Sequence, residues 1–311
     1  MQVPAKPPKL SAPIDIDRVR ALFSRPERAA PSDFLRREIS SRMQDRLQLV
    51  KIVPQRVLDA GCGPGADLPM LQKLYAAAQV LGVDASEPMA RAARAAHAPA
   101  ARQGGFNQLI SKLLPSKTGL DLLCGDFADL PLALHSVDLV WSNLALHWHP
   151  QPDRVFAEWR RVLRVEGLLM FSCFGPDTFT ELRTAFADVD LFPHALPFVD
   201  MHDFGDQLVE AGFSTPVLDM EKITVTYDTP QALLADVRAW GGNPLATRRQ
   251  GLLGRAAHAR LIAGLERQRR PDGKLGLTFE VLYGHAFRPA PRTTSQGESI
   301  IRFDLPRKPN K

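Results

Sequence analysis

The nine residues ValLeuAspAlaGlyCysGlyProGly, Val57 to Gly65, constrain the fold of this chain more than any other stretch. An apolar run that ends in an acid and then alternates glycine marks a strand turning sharply into a helix, with the turn free to bring its backbone close to a ligand. Arg56 to Asp59 reads as that strand, Leu68 to Ala78 as the helix, and Gln79 to Val83 as a second strand, so the run opens a βαβ unit. Strand and helix signals continue to alternate at Pro88 to Ala96, Leu120 to Cys124, Val137 to Trp141, Pro152 to Leu163 and Gly167 to Cys173. Alternation through five strands means a parallel sheet with right-handed crossovers. Two later β-rich runs, Ile223 to Tyr227 and Leu277 to Ala286, flank a helical segment and suit a terminal antiparallel pair. The fold class is therefore α/β: a doubly wound, mostly parallel, seven-stranded sheet.

The 311 residues fit one such domain with additions. Residues 1–17 are Pro-rich and read as a flexible N-terminus. Before the first strand, Phe34, Leu35, Ile39, Met43 and Leu47 mark an amphipathic helix capped by Ser32. The main domain then spans 18–287. Residues 97–119 form an insertion with its own amphipathic piece, Phe106 to Leu114. Residues 176–222 form a substrate cover that includes helices at Pro176 to Ala187 and Asp203 to Ala211. A tail, 288–311, carries one candidate edge strand at Ile300 to Leu305.

The glycine spacing narrows the ligand. It is GxGxG rather than the GxGxxG of dinucleotide sites, and Asp59 stands just ahead of it. A carboxylate there repels a pyrophosphate and attracts an ammonium or sulfonium. At the next strand end Asp84 is placed to accept both hydroxyls of a ribose. At the third, Asp126 could accept from an adenine amino group while Phe127 flanks the ring. Any one of these acids alone could be a helix cap; the ordered set describes a cationic nucleoside.

Three acids at three successive strand ends behind a glycine loop resemble the class I S-adenosylmethionine-dependent methyltransferases. That resemblance implies S-adenosyl-L-methionine as cofactor. Asp59, Gly61, Gly63 and Gly65 would face its methionine part, Asp84 with Ala85 the ribose, and Asp126 with Phe127 the adenine. Met89 would line the ribose side or sit in the core. Asn143, after the fourth strand, matches a position near the reactive methyl. The fold is shared by enzymes with many acceptors, so the acceptor rests on other residues.

Five runs in order, VDLVWSNLALHW, LLMFSCFGPDTFTELR, HALPFVDMHDFGDQLVEAGF, VRAWGGNP and LTFEVLYGHAF, look like the malonyl-[acyl-carrier protein] O-methyltransferases of biotin synthesis. The similarity covers most of residues 19–287. It implies methyl transfer to the free carboxylate of a malonyl thioester on an acyl carrier protein. Methyltransferase-like assembly proteins that modify a protein arginine share the HW and FGxDTxxELR runs, and a small-molecule methyltransferase is a third reading. Arg238 favours the first, because a basic residue at that position suits a carboxylate acceptor; Arg183 is the second candidate. Either arginine would grip the carboxylate, or else be a solvated surface charge. His147 is a general base or a packed histidine, and His149 is placed on the surface. One departure stands out: these relatives carry a tyrosine shortly after the phenylalanine matching Phe23, and SerArgProGluArgAlaAlaPro has none.

Thirty-nine basic against 34 acidic residues give a net charge of +5 and a pI near 9.3, which permits nucleic acid, an anionic surface or an acidic protein as partner. No RNA-binding module or zinc-finger pattern accompanies that charge, so no nucleic-acid partner is expected. Arg154, Arg160, Arg161 and Arg164, or Arg248, Arg249 and Arg255, could instead form a docking face for an acidic carrier protein, or simply be solvated. Cys62, Cys124 and Cys173 are odd in number and far apart, which points to a reducing compartment and to no metal site. With prolines and acids in the opening MQVPAKPPKLSAPIDID and no long apolar run, a cytoplasmic protein with no membrane contact is expected.

Overall fold

Seven strands share one sheet in the order β3-β2-β1-β4-β5-β7-β6. They are β1 (Arg56–Ala60), β2 (Gln79–Asp84), β3 (Leu120–Cys124), β4 (Val137–Asn143), β5 (Leu163–Phe174), β6 (Ser214–Tyr227) and β7 (Leu275–Phe287). The computed structural model describes residues 11–28, 33–97 and 120–291. The first five strands run parallel, and β7 pairs antiparallel with both β5 and β6. The chain moves outward from β1 to β3 and then returns to place β4 on the other side of β1. Ligands of open α/β sheets bind outside the C-terminal strand ends at such a reversal.

Helices cover both faces. On one, α2 (Asp33–Gln48) turns Leu35, Ile39, Met43 and Leu47 inward at four-residue spacing, together with α3 (Leu68–Leu74), α6 (Thr180–Ala187), α8 (Pro230–Ala239) and α9 (Arg255–Glu266). On the other lie α5 (Pro152–Val162), whose Val155, Phe156, Trp159 and Val162 are fully buried, and α7 (Met201–Glu210). Helix α4 (Glu87–His97) packs beside β2 and β3. A short helix α1 (Ile16–Leu22) is capped by Asp15, whose side chain accepts from the N–H of Arg18 at 3.0 Å.

Several boundaries differ from the sequence reading. Strand β6 begins nine residues before the expected Ile223 because it is the sheet edge: its side chains alternate between partial burial and exposure, so polar residues such as Asp219 and Lys222 are tolerated. Helix α6 starts at Thr180 rather than Pro176 because Phe179, at φ 63°, interrupts helical geometry. Two helices, not one segment, separate β6 from β7. The loose N-terminal segment falls partly outside the described residues. From Ser11 on, the chain is tied down: the Ser11 N–H donates to Pro150 O at 2.8 Å, and Ile14 bridges Leu245. Ser32, the insertion from residue 98 to 119 with its Phe106–Leu114 piece, and the tail from residue 292 with the Ile300–Leu305 strand lie outside the described residues. Among those described, no helix is long and apolar enough to cross a membrane.

Candidate active site

The glycine loop is held against β2 by its own backbone. The N–H groups of Gly61 and Cys62 both donate to Val83 O, at 2.8 and 3.0 Å, and the Gly63 N–H donates to Asp84 Oδ2 at 2.9 Å. Gly61, Gly63 and Gly65 all have positive φ, from +53° to +83°. They are not equivalent. A Cβ at Gly61 would lie 2.3 Å from Ala145 Cβ, and one at Gly65 would press on His97, whereas one at Gly63 would meet nothing within 4 Å. Gly61 is therefore needed for close contact with the β4 end, and Gly63 leaves open room above the loop.

That room is a cavity of about 840 Å³ at the C-terminal ends of β1, β2 and β4. Gly61, Gly63, Asp84, Ala85, Met89, Phe127 and Asn143 all line it, and so does His147. Asp59, Gly65 and Asp126 do not reach its wall. Asp59 is buried below the loop with Oδ2 unpartnered. Burial, with the nearby carboxylates of Asp67 and Asp84, pushes its pKa well above the ordinary carboxylate range. Asp126 caps the turn after β3, its Oδ1 accepting from the Ala128 N–H at 2.8 Å. His149, expected on the surface, is buried, with Nε2 4.0 Å from Asp126 Oδ1 and its ring tilted against Phe127.

Asp84 is the best-placed acid. Its Oδ2 takes the Gly63 N–H and its Oδ1 the Ser86 N–H at 2.8 Å, which orients the carboxylate while each oxygen keeps capacity for another donor. Asn143 is more committed. Its amide NH₂ donates to Arg36 O and to Asp67 Oδ2, at 3.2 and 3.0 Å, and its Oδ1 accepts from Ser172 at 2.9 Å. It braces the cavity floor rather than offering a donor. Asp67 escaped the sequence reading altogether: buried, it also accepts from Trp141 Nε1 at 2.9 Å.

The cavity is covered by other elements than residues 176–222. Val19, Arg20 and Phe23 of the α1 region, with Trp148 and Trp240, close the cavity, and Arg36 of α2 supplies a further cation. Phe23 meets Trp148 edge-on at 5.1 Å, and Gly241, at φ +113°, lets the chain pass within van der Waals distance of both. No local pattern in α1 marks it as a lid; only the tertiary fold brings it there. Within the expected cover of residues 176–222, α6 and residues 190–198 instead wall a neighbouring groove, and Arg183 lies there, its guanidinium donating to Pro176 O and Thr178 O. Arg238 sits exposed in the last turn of α8, outside the cavity wall. Of the arginines read as a docking face, Arg160, Arg161, Arg164, Arg248 and Arg249 hydrogen-bond to their own chain. Arg154 stands 4.0 Å from Asp129, and Arg255 is exposed.

His147 lies where the cavity meets the groove side. Its ring packs among Trp148, Phe174 and Phe198, at centroid distances of 5.0, 4.9 and 5.7 Å. Nδ1 accepts a long hydrogen bond from the Phe174 N–H, 3.5 Å, which places the proton on Nε2, and Nε2 is buried without a partner among the described residues. Burial pulls its pKa down to about 3, so the ring is neutral.

The implied S-adenosylmethionine suits this wall. The cofactor carries a sulfonium, an ammonium, a carboxylate, ribose hydroxyls and an adenine. Of the acids Asp59, Asp67 and Asp84, it is Asp84 that lines the cavity, and it is of the charge that suits the cofactor's cations. Arg20 and Arg36 are of the charge that suits a carboxylate, Asp84 keeps acceptor capacity for hydroxyls, Phe127 adds an aromatic wall residue, and the open space over Gly63 leaves room for a close backbone approach.

Comparison with known proteins agrees with this arrangement. A family described as "Methyltransferase domain" matches residues 58–171, from β1 into β5. A malonyl-[acyl-carrier protein] O-methyltransferase of Laribacter hongkongensis is 47% identical over 297 residues, covering 93% of this chain and 96% of that one. Another of the same name from Gallionella capsiferriformans is 45% identical over 293 residues, with the same coverage. The crystal structure of the YcgJ protein of Bacillus subtilis, 14% identical, superposes with a TM-score of 0.53 over 80% of this chain and 98% of its own, and shows the same fold. With identity of this level over nearly its whole length, the chain belongs to the malonyl-[acyl-carrier protein] O-methyltransferases, a family of S-adenosylmethionine-dependent class I methyltransferases.

Proposed function

We propose that this protein, in the cytoplasm, transfers a methyl group from S-adenosylmethionine to the free carboxylate of malonyl-[acyl-carrier protein], forming the methyl ester that starts biotin synthesis. The observation that carries this reading is the 47% identity over 93% of the chain to a relative of that name. The site chemistry supports it.

When bound, S-adenosylmethionine supplies a methyl group activated by the positive sulfur that bears it. The residues of this chain bind and orient. Asp84 holds the ribose side, and the glycine loop faces the methionine side. Val19, Phe23, Trp148 and Trp240 keep water away, which strengthens every electrostatic contact inside. A malonyl carboxylate is ionised at neutral pH and needs no general base. His147 acts as a neutral hydrogen-bond donor: its Nε2–H offers a grip for one carboxylate oxygen, and alignment of the reactants is then the main contribution. An arginine acceptor would have to lose a proton, and a histidine with a pKa of about 3 is a poor base for that. Mass spectrometry of malonyl-carrier protein after incubation with enzyme and S-adenosylmethionine tests the reading: a methyl ester is expected, and an unmodified malonyl group contradicts it.

A further inference from the structure

A small hollow adjoins the cofactor cavity and, on its other side, a groove, so that the three share walls in series. His147, Trp148, Phe174 and Trp240 line both the cavity and this second, tight hollow, which has room for about one water. The far side of that hollow is His194, Ala195, Leu196 and Phe198. Those same four residues line a third space, an open groove of about 1160 Å³ beside α6. A line drawn through the shared walls runs from the surface to the imidazole of His147.

The two ends of this line differ in chemistry. The inner neck is aromatic and aliphatic, and it finishes at the buried Nε2 of His147, a donor with no acceptor among the described residues. The outer groove is held by a polar frame. His194 stacks on Phe186 with centroids 3.5 Å apart and bonds to Asp190 Oδ1 at 2.7 Å, while Arg249 bonds to Asp190 Oδ2 at 3.1 Å. Around that frame, Leu191 is fully exposed and Phe192 is 46% exposed, and Arg183 lines the groove beside them. Bare apolar side chains among arginines form a surface suited to an acidic protein with an apolar centre.

We infer that the carrier protein docks on the rim formed by Leu191, Phe192, Arg183 and Arg249, and that its malonyl thioester arm threads the groove and the Ala195–Phe198 neck to reach His147. The inference rests on the proposed reaction, which requires an acceptor carried at the end of a long arm. Val19, Arg20 and Phe23 of the α1 region wall the cofactor cavity but neither the hollow nor the groove, so the groove side is a separate approach to His147. The arm's phosphodiester would lie near the rim arginines, its amide-bearing stretch in the groove, and its carboxylate at the unpartnered Nε2–H.

Two variants test the route against the wild type. Ala195→Trp puts an indole into the neck, and transfer to malonyl-carrier protein should fall about a hundredfold in kcat/KM while calorimetric binding of S-adenosylhomocysteine is unchanged. Leu191→Asp, at a position with no burial to lose, should raise KM for malonyl-carrier protein about tenfold with kcat unchanged. If the wild type makes the methyl ester and Leu191→Asp and a folded, cofactor-binding Ala195→Trp make it at the same rate, the route is refuted and the reaction stands. A wild type that makes no ester overturns the reaction itself, and the route with it. Should Ala195→Trp not fold, the KM of Leu191→Asp decides alone.

Discussion

The hydroxyl of Ser86 donates to the backbone carbonyl of Phe23 at 2.9 Å, joining the end of the lid helix to the loop that follows β2 across 63 positions of sequence. Ser86 is buried, and its neighbour Asp84 holds the glycine loop. The α1 end, Asp84 and the glycine turn are thereby one mechanical unit.

Breaking that link should loosen the lid without unfolding the domain. Ser86→Ala is expected to weaken S-adenosylmethionine binding about fivefold, corresponding to about 1 kcal/mol for one hydrogen bond. Ser86→Thr, which keeps the hydroxyl, should recover most of it. Isothermal calorimetry reads the effect, and equal affinity in Ser86→Ala would show that the lid closes by its aromatic contacts alone.

Asp84 makes the loop's most demanding contacts, with one N–H on each oxygen. Asp84→Asn turns one acceptor into a donor facing an N–H, and should cost cofactor binding about a hundredfold, near 3 kcal/mol. Stability of the free protein should change less, because a like charge beside buried Asp59 disappears with it. Unchanged affinity by calorimetry would refute the placement of Asp84 at the ribose.

Gly61 faces Ala145 so closely that neither can grow. Gly61→Ala combines a positive φ with a Cβ 2.3 Å from Ala145 Cβ, and should destabilise the fold by about 2–4 kcal/mol in urea unfolding. Ala145→Gly added to it should restore part of the loss, leaving the backbone strain. A double variant no more stable than Gly61→Ala would mean that φ, not the contact, sets the penalty.

His147 gives stability a pH dependence with a definite sign. Its folded pKa lies at about 3, below the ordinary 6.5, so its neutral burial is fully tolerated above pH 6.5. As the pH falls from there toward 3, the unfolded chain takes up a proton that the folded one refuses, and stability drops. Asp59, raised in the fold, works in the opposite direction, so the comparison must be with His147→Phe. Between pH 6.5 and 4 the wild type should lose stability relative to that variant, by a few kcal/mol in order of magnitude. Parallel curves would place His147 in water. For the same reason kcat/KM of the wild type should show no step near pH 6.5, whereas a general base with an ordinary pKa would give one.

The sheet was legible because buried parallel strands leave continuous apolar runs and the glycine loop marks the first crossover. Strand order alone brings Asp84, Phe127 and Asn143 to one edge, where all three line the cavity. What sequence could not supply was anything made by tertiary contact. Half of β6 was hidden because an edge strand alternates polar and apolar residues. Residues 176–222 were read as a substrate cover, and part of them walls the neighbouring groove, whereas Val19, Arg20 and Phe23 carry no pattern that says what they will cover. Asp67 and Arg36 reach the site only through the packing of α2 and α3 around Trp141 and Asn143. Arg238 looked like the substrate cation from its position in a motif, yet helical phase turns it to solvent.

The central claim is that the acceptor is a malonyl carboxylate presented by a carrier protein. Steady-state methyl transfer measured side by side on malonyl-carrier protein, malonyl-coenzyme A and an arginine-containing peptide tests it most directly. The account predicts a methyl ester on both malonyl thioesters, with kcat/KM highest for the carrier-bound form, and no transfer to the peptide. Methylation of the peptide with both malonyl thioesters left unmodified would contradict it.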